Sequence, residues 1–161
     1  MPRIFDVVEY PDEMRNEIVH RFPESGSGDF RIGSQVIVRE AQEAVFFRDG
    51  HALDTFGPGR HTITTYNIPL LIERISPALF NAATPFPAEV YFVPMREFAA
   101  QKWGTPQPII VKNPGVGLGI ALLQAFGTYS FFVSNPQQFV AQVVGSQGIY
   151  TLNDIQGRHV R

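Results

Sequence analysis

Asp49, His51, Asp54 and His61, with Glu40 and Glu43 a few residues earlier, are the side chains best placed in this chain to do chemistry. Carboxylates and imidazoles together are what general acid–base catalysis or a hydrolytic metal centre needs. A hairpin at Asp49-Gly50 would bring Asp49 and Asp54 close together, and His61 could lie across a strand pair. The same residues have a structural reading. Aspartates belong in turns, and a histidine needs nothing more than a half-exposed strand face. The 4 histidines share no ligand spacing such as H-E-x-x-H, and with Cys 0 there is no disulfide and no thiolate site. Other motifs fail on spacing. The glycines at 115, 117 and 119 miss the G-x-G-x-x-G/A pattern, no P-loop occurs, and SGSGD lacks the first residue of a G-x-S-x-G elbow. No catalytic, cofactor-binding or metal residue is therefore assigned. A small metal-dependent hydrolase built on Asp49, His51, Asp54 and His61 stands as the alternative from a different class.

The elements that must position these residues are mostly strands. At 161 residues and 44% hydrophobic, the chain is long enough for a buried core and for one domain. DVVEY, EIVHRF, SQVIVRE and EAVFFRD read as short strands, with PESGSGD (23–29) a loop between them. Asp49-Gly50 is a hairpin signal, because glycine accepts the positive φ such turns need. Gly57-Pro58-Gly59 is a rigid turn: proline fixes φ at its second position and the next glycine supplies φ > 0. RHTITT leaves it as a strand ending at Asn67–Pro69, and LLIERISPALFNAATPFP has room for one short helix. AEVYFVP (88–94) is a strand with both faces apolar, and REFAAQKWGTPQPIIVKNP reads as strand, turn, strand.

Helices come late. Ser134 or Asn135 is an N-cap before Pro136, PQQFVAQVVG carries apolar residues four apart, and Gly145 is the expected stop. Thr151 with Asp154 resembles a capping box opening a second helix. The fold class expected is α+β: a mostly antiparallel β-sheet with packed helices toward the C-terminus. Residues 1–34 form N-terminal strands and a loop, and 35–161 the main domain, within one compact body. The last helical pattern reaches Arg161 without a stop signal, as a domain cut from a longer protein would.

Charge excludes one partner class and raises another. Net charge is −2, with 13 basic against 15 acidic residues, which gives no basic face for nucleic acid. The N-terminal segment carries acidic residues and no long apolar run, so it is not a secretory signal, and a cytoplasmic location is expected. From Lys112 to Asp154 no charged residue intervenes, and GVGLGIALLQAFGTYSFFV (115–133) has the length of a spanning helix. Its glycines, flanking prolines and alternation favour a long buried strand instead, with Leu123, Ala125, Gly127, Tyr129, Phe131 and Val133 on one face. Trp103, the single tryptophan, with Lys102 beside it, is either an interfacial anchor or core packing next to a turn. Phe46 and Phe47 are adjacent and cannot both face one side of a strand, so either one of them is open to a partner or bilayer surface or the core is two-sided. Phe46, Phe47, Lys102 and Trp103 make up the candidate interaction surface.

Four blocks in order, VREAQEAVFFRDGHALDTFGPGRHTITTYNIPLL, AEVYFV, KWGTPQPIIVKNP and AFGTYSFFVSNPQQF, resemble the SPFH or band 7 superfamily of stomatin, prohibitin and flotillin. The resemblance covers Val38 to Phe139, and its nearest form is a bacterial branch labelled virion core protein-like. It implies an α+β domain with an antiparallel sheet and packed helices. It also implies non-enzymatic work: scaffolding by homo-oligomers and contacts with other proteins at or near the inner face of the cell membrane. A soluble cytosolic assembly or chaperone-like cage subunit is the alternative. No N-terminal membrane hairpin like those of stomatins and prohibitins is read in these residues, so direct insertion is not expected of them. Leu122, Leu123 and Gln124 stand where the branch carries basic residues. The resemblance implies no cofactor.

Overall fold

The computed structural model describes residues 6–11, 14–26, 28–48, 50–64, 86–113, 117, 119–144 and 149–159. The strands are β1 (Val7–Glu9), β2 (Glu17–Phe22), β3 (Gly28–Phe30), β4 (Gln35–Val38), β5 (Gln42–Arg48), β6 (His51–Phe56), β7 (Gly59–Thr62), β8 (Phe86–Pro94), β9 (Phe98–Gly104), β10 (Ile109–Asn113), β11 (Gly119–Leu123), β12 (Phe126–Phe131) and β13 (Ile149–Thr151). The helical segments are α1 (Pro136–Phe139), a π turn continuing it over Val140–Val144, and α2 (Leu152–His159). Among the described residues the chain is mostly antiparallel sheet with few helices, which lie toward the C-terminus, consistent with an α+β class. It divides into two units, the first of residues 1–96 and 133–161, the second Glu97–Phe132.

The first unit is built on the order β13-β2-β8-β5-β6, with β3 also pairing β8. A separate sheet runs β1-β4-β7, in which β1 and β4 are parallel. Alternation along β5 and β8 explains what is buried. Ala44 and Phe46 of β5 and Ala88, Val90 and Phe92 of β8 share one face and join Val8, Val36, Val38 and Phe56 in the main core. Tyr91 and Val93 point the other way and are buried as well. The strand with two apolar faces is thus central, as its composition demands.

Turn chemistry fixes the connections. Arg48 pairs with His51 across a tight link in which Gly50 takes φ 78°. Gly59 takes φ 125°, the positive φ expected after Pro58. That turn does not fold β7 back on β6. It hands the chain from the β6 sheet to the β4–β7 pair, where Val38 faces Gly59. Asn135 caps α1, its Oδ1 accepting from Gln138 N at 3.0 Å, with Pro136 in the first turn. Thr151 N and Oγ1 both donate to Asp154 Oδ2, at 2.7 and 2.9 Å, at the start of α2. The expected strand end at Asn67–Pro69, the short helix after it and the Gly145 stop lie outside the described residues.

One expectation is overturned. Residues 115–133 are not one long buried strand. The run breaks at Gln124-Ala125 into β11 and β12, which pair with different partners, and β11 is exposed along its whole length. The alternation was real, but it could not say whether anything covers the apolar side. Gly119 closes the β10–β11 pair rather than bending one strand: it faces Asn113 and takes φ 66°.

Candidate interaction site

The second unit is a two-stranded antiparallel ribbon in two stages. β9 pairs with β12, with Trp103 opposite Gly127 and Lys102 opposite Thr128. Beyond them β10 pairs with β11, with Ile110 opposite Leu122 and Lys112 opposite Ile120. The β-branched residues of IIVK and GIALL suit an extended pair. Between the stages, Pro106 and Pro108 have no N–H to give to a ladder, so pairing lapses. Thr105 bridges the gap. Its N–H donates to Ala125 O at 2.9 Å, and its Oγ1 accepts from Ala125 N at 3.2 Å.

Period-two geometry sorts the side chains of the outer stage onto two faces. Ile109, Val111, Ala121 and Leu123 share one; Ile110, Lys112, Ile120 and Leu122 share the other. Both faces are apolar and both are exposed, Leu122 at 71% and Ile110 at 66%. Phe126 is 88% exposed. Nearly all the large exposed hydrophobics among the described residues belong to this unit, Val7 being the exception. Taken at usual side-chain areas, they present on the order of 1,000 Å² of apolar surface in all, divided between the two faces.

Trp103 is held in place at the inner stage. A Cβ on Gly127 would sit 2.7 Å from Trp103 Nε1 and 3.0 Å from its Cε2, so the Nε1 edge of the indole crowds the glycine on the opposing strand. The ring is 49% exposed, which corrects the core-packing reading of this tryptophan. On the same strand pair Phe98 stacks on Phe131 with centroids 5.1 Å apart, and Tyr129 on Phe131 at 6.0 Å. Lys102 is exposed on the face opposite Trp103.

The phenylalanine pair resolves differently from the sequence expectation. Phe46 is fully buried, with edge contacts to Phe30, Phe56 and Phe86 at 5.6, 6.5 and 6.4 Å, so it is removed from the candidate surface. The core on that face of β5 also takes in Val8, Val36 and Val38 from the β1-β4-β7 sheet. Phe47 is half-buried, with its ring edge-on to Tyr91 at 5.6 Å.

The acid–base candidates have separate occupations. Asp54 Oδ1 accepts from Thr55 N at 2.8 Å. His61 Nε2 is 2.7 Å from Gly57 O, and its ring stacks on Phe56 at 5.0 Å. His51 is exposed and lines a shallow depression with Gly50, Ala52, Asn135, Gln138 and Ala141. Asp49 lies outside the described residues. Among the described residues no three His, Cys, Asp or Glu converge on a metal position.

Sequence reading missed two polar clusters in the first unit. Arg21 pairs with Glu89 at 2.7 Å, and Tyr91 OH donates to the other oxygen of Glu89 at 2.9 Å. Burial works against the Glu89 carboxylate, but hydrogen bonds from Arg21 and Tyr91 and the Arg21 charge hold it below its ordinary value. Burial first, and then the bond to Glu89, push the Tyr91 phenol up to about 12. His20 is the second: its Nδ1 is 2.9 Å from Glu17 Oε2, its Nε2 3.2 Å from Glu24 Oε1, and its ring stacks on Tyr10 at 3.7 Å. The groups in each cluster bond one another, which suits cross-strand fastening rather than turnover. No sequence motif announces them, because the partners come from different strands or from neighbours with no ligand spacing.

With a ribbon that offers apolar surface and no converging chemistry, comparison with known proteins is decisive. Residues 19–161 match the SPFH domain-Band 7 family. The chain belongs to that family. SPFH members are generally non-enzymatic and typically oligomerise and contact other proteins. The chain is also similar to YdjI, an uncharacterised protein of Bacillus subtilis (strain 168), at 29% identity over 157 residues. That match takes in 97% of this chain and 47% of the relative, so the chain spans about half the length of the curated relative it matches. No solved structure matches the chain. Among the described residues no helix is long and apolar enough to cross a membrane.

Proposed function

We propose that this is a non-enzymatic SPFH scaffold domain that organises proteins at or near the cytoplasmic membrane, through oligomerisation and protein–protein contact. The blocks that suggested the family support its virion core protein-like branch. The observation that carries the reading is the ribbon, exposed and apolar on both faces, in a chain where Asp54 and His61 bond neighbouring backbone rather than each other. Trp103 and Lys102 are its inner contact residues, with Ile110, Leu122 and Phe126 beyond them; Phe47 is a lesser candidate. The indole, half-exposed and fixed against Gly127, is suited to an apolar–polar boundary.

Flotation of the chain with anionic liposomes at low and high salt tests the membrane part. Co-flotation that survives salt and is lost in a Leu122→Lys/Phe126→Lys variant supports direct contact. A second reading, a soluble cage or assembly subunit, is favoured by the backbone. A two-stranded ribbon has open edges, and hydrocarbon cannot satisfy their N–H and C=O groups. A chain that assembles in solution and never floats is that subunit, and one that does neither sinks the scaffold proposal.

A further inference from the structure

The two edges of the ribbon are not alike. Native sheets protect an open edge with lysine, with bulges that twist it away, or by covering it. The β9–β10 edge has such protection. It carries Lys102 and Lys112, and β9 is bulged where the register slips between Tyr129 and Phe131, with Ala100 at φ 54°. Among the described residues the β11–β12 edge has none. From Gly119 to Phe131 there is no charged residue and no proline, and no bulged residue lies on that side of the pair. A bare, uncharged edge beside a guarded one is how a pairing edge differs from a solvent edge.

The ribbon also falls short of independent stability. A two-stranded hairpin is marginal in water, and three or more strands with an apolar face are needed. Adding strands supplies both missing things, partners for the edge backbone and neighbours for the side chains. A lipid surface supplies only the second. The same edge on two copies related by a two-fold axis is self-complementary and closes after one pairing.

We infer that the uncharged edge, β11 continued by β12, pairs antiparallel with the same edge of a second copy of this chain, joining two ribbons into one four-stranded sheet. The inference rests on the scaffold reading and names its first contact. The joined sheet keeps its apolar faces for the partners or membrane proposed above. Ala121, small and at the middle of β11, lies near the junction.

The chain has no cysteine, so single-cysteine variants give clean cross-linking. Each position of 119–123 is replaced in turn by cysteine, with Val111→Cys and Gln101→Cys as guarded-edge controls, and mildly oxidised. Two-fold antiparallel pairing brings only residues near the axis within disulfide reach of their own copies. Disulfide dimer should therefore peak at one or two neighbouring positions in 119–123, at least tenfold above the controls. Ala121→Lys restores a guard and should weaken dimerisation at least tenfold, read by light scattering, with the melting of the first unit unchanged. Equal yields along both edges, or a peak on β10, overturn the inference. So does an assembly that ignores Ala121→Lys and forms no β11 disulfide, although the scaffold reading then stands. A wild-type monomer that floats with liposomes overturns it too, by giving the ribbon to lipid. A monomer that binds neither overturns both readings.

Discussion

Replacing Gly127 by alanine should release Trp103, and the structure sets the size of the effect. The new methyl carbon would meet indole atoms at 2.7, 3.0 and 3.2 Å. Carbon contacts are comfortable at about 3.5–4.0 Å, so something must move by close to 1 Å. The obstacle is a side-chain ring rather than backbone, so the ring moves and the strands stay. Trp103 keeps 51% of its surface covered against 49% exposed. Losing all of that cover, on the order of 100 Å², would cost about 2–3 kcal/mol, an upper bound because the ring retains some contact. The assay is direct, since Trp 1 makes tryptophan emission a report on residue 103 alone. Gly127→Ala should shift the emission to longer wavelength and raise quenching by acrylamide toward the value for free tryptophan. Melting of the first unit should not change. An unchanged spectrum and quenching would refute the cradle, and a global loss of stability would show that the two units are not separable as described.

Two further predictions concern the first unit. Phe46→Ala removes a ring enclosed by three others and should cost about 3–5 kcal/mol in denaturant unfolding, whereas Phe47→Ala, half-exposed, should cost less than half as much; equal losses would contradict the assignment of faces. The Arg21–Glu89–Tyr91 cluster gives stability a window in pH. Glu89 is held below its ordinary value, so its contribution is full above that value and is lost as pH falls through the depressed one. Tyr91, raised from 10.0 to about 12, contributes fully below pH 10 and loses its contribution as pH climbs toward 12. In ultraviolet titration Tyr91→Phe should remove a tyrosinate that forms near pH 12; removal of one that forms near pH 10 instead would refute the burial.

Much of the strand set was legible in the sequence because its signals are local. Asp49-Gly50, Gly57-Pro58-Gly59, Asn135-Pro136 and Thr151-Asp154 each fix backbone within a few residues, and AEVYFVP showed both of its apolar faces. What escaped depends on which strand lies beside which. Phe46 and Phe47 were known to face opposite ways, but only the pairing of β5 with β8 and the contacts of Phe30 and Phe86 decide which face is closed. The apolar alternation of 115–133 was read as burial. The same pattern also serves a ribbon with nothing over it, and no period in a sequence separates the two. Trp103 shows this most clearly. Its environment is set by Gly127 on another strand, and the sequence offered no link between them.

The central claim is that the ribbon is a contact surface, and hydrogen exchange across residues 109–123 tests it most directly. A bare two-stranded ribbon in water opens readily, and its amides exchange almost at once. The account predicts that these amides gain protection as protein concentration rises, or when anionic vesicles or a bound partner are present, and lose it on dilution. Rapid exchange that is the same at every concentration and in every one of those mixtures would contradict it.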